Sequence, residues 1–272
     1  TVLGSCREAQ EGDIDKALTA ASKFQPGWDE LGGAERAKHL RAMADVLEEN
    51  AERLIALMAR EAGKTLPDGI AEVREAVDFC RYYAMQAEAE FTTPQKLPGP
   101  TGETNHLSLH GRGVFCCISP WNFPLAIFTG QIAAALAAGN AVVAKPAEQT
   151  PLIAFEAVKL FQKAGLPVDA LHLLPGGGES VGAKLISDLR VSGVCFTGGT
   201  VTARIINKTL ADRDGPIIPL IAETGGLNGM FVDTTALREQ VIDDVIQSAY
   251  GSAGQRCSAL RIVFLPEDTA DH

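Results

Sequence analysis

Apolar residues recur at i, i+3 and i+4 through three stretches of the first ninety or so residues: "DIDKALTAASKF", "GAERAKHLRAMADVLEENAERLIALMAREAG" and "PDGIAEVREAVDFCRYYAMQAEAEF". That spacing puts the apolar side chains on one face of a helix. The second stretch reads as one helix ending at Gly63, and Pro67 suits the first turn of the third. A polar segment rich in Pro and Gly, "TTPQKLPGPTGETN", follows as a connector, and "HLSLH" alternates as an exposed strand or flap does. From Gly113 the rhythm changes. Apolar runs alternate with helical stretches: "GVFCCIS", a helix near 125–138, "AVVAK", a helix near 151–164, "LHLLPG", a helix near 179–188, "GVCFTG", a helix near 200–211, and "IIPLIAE". That alternation predicts an α/β fold with a Rossmann-like parallel sheet and helices on both its faces. Further on, "LREQVIDDVIQSAY" has helical spacing and "ALRIVFL" reads as a strand.

Composition narrows the picture. The uncharged run from Phe123 to Ala144 is long enough to span a bilayer, but Pro124, Gly130 and the Gly139-Asn140 pair interrupt it. It reads as a core helix followed by a core strand. Hydrophobic residues make up 46% of the chain, as in globular proteins. Lys plus Arg number 24 against 34 for Asp plus Glu, a formal charge of −10, so no nucleic-acid partner is expected. The six cysteines form no C-x-x-C pair and no metal-ligand spacing with His, and nothing resembles a secretory signal. Reduced thiols in the cytoplasm are therefore expected. The chain starts without Met, and its last element is a strand followed by a polar tail. A strand needs neighbours, which suggests a piece of a longer polypeptide.

In an open parallel sheet, ligands sit outside the carboxyl ends of the strands. Several candidates lie there. "LPGGGESVG" places Gly176, Gly178 and Gly182 at a strand end opening a helix, where a backbone can approach a diphosphate; a plain tight turn has the same look. "FTGGT", with Thr197, Gly198, Gly199 and Thr200, repeats the strand-to-helix arrangement. Lys145 ends "AVVAK" with Glu148 three residues on, either a solvated pair or a grip on ribose hydroxyls. A carboxylate there disfavours a 2′-phosphate, favouring NAD over NADP. "SPWNFP" fixes Asn122 between two prolines, as a turn former or as a donor to an oxyanion. "ETGG" puts Glu223 at a strand end, where it is either merely exposed or able to activate water. Finally, "GSAGQRCSAL" carries Cys257 in a glycine-rich loop at a helix-to-strand junction, where a residue can be presented to a cleft. A small buried hydrophobe is the commoner role for a free cysteine.

Taken in order, "SPWNFP", "KPAEQTP", "FTGGT", "AETGG" and "GQRCS" resemble the NAD(P)-dependent aldehyde dehydrogenase superfamily, over residues 119 to 258. Finer features, "DGPIIPLIAETGG" and "SAGQRCSALR", resemble the aldehyde dehydrogenase half of the bifunctional proline utilization A proteins. The resemblance implies NAD-dependent oxidation of L-glutamate 5-semialdehyde to glutamate through a cysteine thiohemiacetal and thioester. It implies that Cys257 is the nucleophile, that Asn122 with the Cys257 N–H holds the oxyanion, and that Glu223 deprotonates water. Ser119, Pro120, Trp121, Lys145, Glu148, Gly176, Gly178, Gly182, Thr197, Gly198, Gly199, Thr200 and Gly225 would line the NAD site. Ser258 would meet the substrate carboxylate and Glu75 its ammonium, although a solvated helix carboxylate reads the same way. The implied organisation is an NAD-binding domain over 1–222, with a helical front end at 1–92, a connector and flap about 93–112 and parallel α/β over 113–222. A truncated start of a second α/β catalytic domain would occupy 223–272. A proline dehydrogenase domain in the same parent polypeptide and a homo-oligomer are also implied.

Two departures stand out. Gly199 replaces a serine common in relatives, removing one hydroxyl from the diphosphate site. No E-x-F-G-P segment follows Cys257, so within this chain alone the implied site is incomplete. Competing readings are a dehydrogenase for another aldehyde, an enzyme passing the acyl group to coenzyme A, and an inactive nucleotide-binding fragment. Glu223 favours water as acceptor, since hydrolysis needs a base.

Overall fold

The computed structural model describes residues 2–267; Thr1 and the end of the polar tail, residues 268–272, lie outside the described residues. Four helices come first: α1 (Glu11–Glu30), α2 (Gly32–Glu49), α3 (Ala51–Glu61) and α4 (Leu66–Glu90). Two of these depart from the periodicity reading. α1 does not stop at Phe24 but runs through Pro26, because packing outweighs the lost helical bond. Trp28 is fully buried and its indole N–H donates to the Leu136 carbonyl at 3.0 Å. The single helix expected over 33–63 is two. The break falls at Asn50, whose backbone leaves the helical region (φ −107°, ψ 16°) while its amide donates to Val46 O at 2.8 Å. Asparagine's ability to bond its own backbone favours such breaks, and the apolar spacing cannot register them. α4 starts as expected, with Thr65 accepting from the Asp68 N–H at 3.3 Å and a proline in the first turn.

The connector forms a small exposed antiparallel pair, β1 (Gln95–Leu97) with β2 (Asn105–Leu107), so "HLSLH" is strand only up to Leu107. The central sheet follows: β3 (Val114–Ile118), α5 (Ala126–Ala137), β4 (Ala141–Lys145), α6 (Pro151–Lys163), β5 (Leu171–Leu173), α7 (Ala183–Ser187), β6 (Val191–Gly198), α8 (Thr200–Ala211) and β7 (Leu220–Thr224). All five strands are parallel, in the order β5-β4-β3-β6-β7. The helix expected near 179–188 opens instead with a wide turn at Gly178–Gly182 before α7. β7 starts only at Leu220, because Pro216 and Pro219 have no N–H to donate. Glu223 and Thr224 still pair with Thr197 and Gly198 of β6.

The sheet divides the core. Phe115, Cys117, Val142, Ala144 and Cys195 face α2, α4, α5 and α6, while Val114, Cys116, Val143, Val194 and Phe196 face α1, α7 and α8. This is the two-faced covering that continuous apolar strands require. A fully buried Leu such as Leu18 or Leu40 contributes roughly 1.5–3 kcal/mol by leaving water. Past β7 a separate parallel pair forms from β8 (Asn228–Phe231) and β9 (Leu260–Phe264), with α9 (Arg238–Tyr250) between them in sequence. α9 and β9 match the periodicity, whereas β8 is too short and glycine-containing to have signalled itself. Among the described residues no helix is long and apolar enough to cross a membrane, and the run from Phe123 divides into α5 and β4.

Close packing of α2 on α4 gives a direct stability test. A Cβ added at Gly33 would fall on the Ala87 carbonyl oxygen and within 3.0 Å of the Phe91 carbonyl carbon. Backbone atoms cannot step aside as a side-chain tip can. Gly33→Ala should therefore lower unfolding stability by about 1–3 kcal/mol, read from urea midpoints at unchanged m-value.

Candidate functional site

Parallel register brings the strand ends level. Ile118 pairs with Lys145 on one side and with Phe196 on the other, and Thr197 pairs with Glu223. Residues leaving the carboxyl ends of β3, β4, β6 and β7 thus share one edge of the sheet. The chain moves outward from β3 through β4 to β5, then returns past β3 to β6 and β7. That reversal between β3 and β6 is where such sheets open a crevice. The 119–124 and 197–200 loops flank it.

Each loop is held in place. Ser119 is buried, its N–H donating to the Lys145 carbonyl at 3.2 Å, and its hydroxyl has no hydrogen-bond partner among the described residues. Pro120 is half-buried and Trp121 exposed. Thr197 accepts from the Gln131 amide at 3.0 Å, and the same amide nitrogen lies 3.2 Å from Ile118 O. Gln131 therefore ties the ends of β3 and β6 together, a role with no sequence signal beyond a polar residue on a mostly buried helix. α8 starts at Thr200 after Gly199, with no side-chain cap, so its first-turn N–H groups are left for a ligand.

Lys145 is 3% exposed, its ammonium donating to Pro146 O at 2.9 Å and to Glu148 at 3.4 Å. Burial pulls its pKa below 10.5, and the Glu148 charge opposes that pull. The glycine loop reaches the same place: a Cβ at Gly182 would sit 3.6 Å from Lys145 Cδ. Gly176 has φ +152°, and a Cβ there would strike Val181. A Cβ at Gly178, Gly199 or Gly225 would meet nothing within 4 Å. Open space above two glycine loops, uncapped helix N–H groups and an unpartnered buried hydroxyl together fit a phosphate-bearing ligand with a polyol.

Cys257 is exposed. Of the other five cysteines, four are buried and Cys6 is exposed. Burial pushes the Cys80 and Cys116 thiols up to about 12, where no thiolate forms at neutral pH. Burial, helped by Glu61 and Glu8, also raises Cys6. The Cys257 loop is braced from all sides. Asn228 donates to Cys257 O at 2.6 Å and to Ala259 O at 2.9 Å. Arg256 donates to Gln247 O and Ser248 O, both at 2.9 Å, closing the end of α9, and Arg261 reaches Gly254 O at 2.9 Å. Ser252 and Ala253 both take φ +54°, a strained conformation for residues with a Cβ, as occurs where a loop must aim a side chain.

Asn122 joins the two halves of this arrangement. Its amide donates to Gln255 O at 2.8 Å, across 133 positions of sequence. Glu223 is exposed and, among the described residues, its side chain makes no hydrogen bond or ion pair, while its backbone stays in the ladder with β6. Glu75 is half-buried on α4, beside Arg74, Phe79 and Tyr83 in a groove of about 550 Å³. Ser258 is exposed next to Cys257. Sequence reasoning missed Asn228, Gln131, Lys64 and Glu72. For Glu72 a signal did exist: it falls on the apolar face of α4 between Gly69 and Val73.

Comparison with known proteins bears on this geometry. A family model described as "Aldehyde dehydrogenase family" matches residues 1–272. The chain is 51% identical over 274 residues to the Bifunctional protein PutA of Klebsiella aerogenes, covering all of this chain and 20% of that protein. A solved structure of proline utilization A (PutA) with proline bound in remote sites superposes with a TM-score of 0.94 at 55% identity, over 98% of this chain and 27% of that one. The 1-pyrroline-5-carboxylate dehydrogenase from Thermus with bound NAD superposes with a TM-score of 0.89 at 34% identity, over 94% of this chain and 50% of that one. The chain thus spans about a fifth of the curated PutA proteins it matches.

Proposed function

The chain belongs to the aldehyde dehydrogenase family, and from that premise we propose that it carries the nucleotide cleft and the nucleophile of an NAD-dependent L-glutamate 5-semialdehyde dehydrogenase in proline catabolism. The observation that carries this reading is the 2.8 Å bond from the Asn122 amide to Gln255 O. It sets an amide donor two residues from an exposed thiol beside the crevice of a parallel sheet.

In this reading Lys145 and Glu148 hold the adenine ribose. Gly176, Gly178 and Gly182 with Thr197, Gly198, Gly199 and Thr200 take the diphosphate, and Ser119, Pro120, Trp121 and Gly225 line the remainder. Glu148 selects against a 2′-phosphate. NAD, when bound, supplies the hydride acceptor. The Cys257 thiolate adds to the aldehyde carbon, and the charge on the former carbonyl oxygen falls to the Asn122 amide and the Cys257 N–H. Loss of hydride from that carbon leaves an acyl thioester on Cys257. Glu223 takes a proton from water as it attacks, and the thiolate leaves as the carboxylic acid forms. The Asn122 amide nitrogen carries two hydrogens, so one serves Gln255 O while the other serves the oxyanion.

The rest of the site, and of the polypeptide, is proposed by likeness. A PutA-like parent would add a proline-oxidising domain, a homo-oligomer and a cytoplasmic setting, with residues 1–222 as the NAD-binding domain and 223–272 opening the catalytic one. The test is NADH formation by the complete polypeptide that carries this sequence, with glutamate semialdehyde and with simple aliphatic aldehydes. A clear preference for the semialdehyde supports the reading; equal rates, or none, would overturn it.

Glu75 and Ser258 are assigned to the two charged ends of that substrate. Burial, reinforced by the charge of Glu72, raises the Glu75 carboxyl above 4.5, with Lys64 pulling the other way. A carboxylate loses its charge as pH falls through its pKa, so this one stops attracting an ammonium at a higher pH than an ordinary glutamate. KM for the semialdehyde should therefore rise on acidification from neutrality. In Glu75→Gln, KM should be raised about tenfold at neutral pH and show less of that acid dependence.

A further inference from the structure

A buried ion pair stands behind the loop that carries Asn122. Lys64, between α3 and α4, and Glu72, in α4, have side chains only 6% and 1% exposed, with Lys64 Nζ 2.9 Å from Glu72 Oε2. Both ends of the pair grip the segment after β3. The Lys64 ammonium lies 4.3 Å from the centre of the Phe123 ring. Glu72 Oε1 accepts from the Leu125 N–H at 2.8 Å and the Ala126 N–H at 3.3 Å, where α5 begins. Asn122 is thus followed at once by a residue held through its ring, and three positions on by a residue held through its backbone.

Stability does not account for this pair. Burying two charges costs several kcal/mol per ion, and apolar residues of similar volume commonly serve stability as well or better. Two features do set this pair apart: a carboxylate fixing two backbone N–H groups, and an ammonium held between that carboxylate and an aromatic face. Such contacts restrict where a loop can go. Helix α4 therefore dictates the direction in which Asn122 leaves its loop to reach Gln255 O, next to the thiol.

Resting on the functional reading above, we propose that Lys64 and Glu72 are positioning residues for the oxyanion-binding amide of Asn122. They touch neither substrate nor cofactor, and act by holding Phe123 and the start of α5. A displacement of the order of 1 Å at a reacting group is enough to cost about 10²-fold in rate, so the effect belongs in kcat.

The experiment is a double-mutant cycle in the complete polypeptide. Glu72→Gln and Lys64→Met should each lower kcat for aldehyde oxidation by about 10- to 100-fold. KM for NAD⁺ should stay within about twofold, and Lys64→Arg should recover most of what Lys64→Met loses. In an Asn122→Ala background, Glu72→Gln should lower kcat by no more than about twofold, because the amide it positions is gone. Equal losses in both backgrounds would make the pair merely structural and overturn the proposal, as would a Glu72→Gln enzyme with unchanged kcat. Should Glu72→Gln not fold, Phe123→Leu removes the ring, keeps the ion pair, and takes its place in the cycle, where equal losses in both backgrounds again overturn the proposal. An Asn122→Ala enzyme of full activity would sink the functional reading itself. An impaired Asn122→Ala beside a fully active Glu72→Gln would sink the positioning role alone.

Discussion

Cys257→Ala is expected to abolish aldehyde-dependent NADH formation in the complete polypeptide, a fall of about 10⁴-fold or more. The size follows from the chemistry. Without the thiolate no covalent acyl carrier forms, and hydride would have to leave a hydrated aldehyde that nothing holds in place. The fold should not notice. Cys257 is exposed, and its loop is held through its carbonyl by Asn228. Unfolding stability should change by less than about 0.5 kcal/mol, as surface substitutions do. NAD⁺ binding, followed by calorimetric titration, should be retained, since none of the groups assigned to it lies on the loop that carries Cys257. A Cys257→Ala enzyme that still turns over would move the nucleophile elsewhere. Cys6 would be the one other exposed thiol.

Glu223→Gln should act on a later step and show a different kinetic shape. Hydrolysis of the thioester needs a base for the incoming water, while addition and hydride loss do not. Steady-state kcat should fall by about 10²- to 10⁴-fold. A rapid-mixing trace should still show a burst of NADH approaching one equivalent per site. Burst and steady state lost together would place Glu223 before the thioester. No loss at all would remove it from the mechanism. Because Glu223 lies at the end of β7 and its side chain makes no hydrogen bond or ion pair among the described residues, the substitution should leave the sheet intact.

Much of this architecture is legible in local pattern. Apolar runs such as "AVVA" and "VFCCI" became strands because both their faces are buried, and that burial favours apolar residues on both faces; Lys145 closes the first run at the carboxyl edge of the sheet. The 176–182 loop and the Cys257 loop are legible for a similar reason: Gly176 at φ +152° and Gly254 at φ +68° need the missing Cβ, so composition marks the place. Structure and pattern part where a distant contact or a side-chain bond to the local backbone overrules the apolar spacing. Trp28 carried α1 past Pro26, and Asn50 split one apolar stripe into two helices.

Local pattern alone thus encodes the alternation of helices and strands, the parallel sheet and the loops at its carboxyl edge, because each depends on the side chains of a few consecutive residues and on their burial. Which groups meet there follows from long-range packing. The Asn122 amide and Gln255 O are 133 positions apart, Gln131 and Thr197 are 66 apart, and Glu72 and the Leu125 N–H are 53 apart. Hydrogen bonds and ion pairs act over about 3 Å. Whether two polar residues come that close is set by the packing of the helices and strands that carry them, and no periodicity along the chain encodes it.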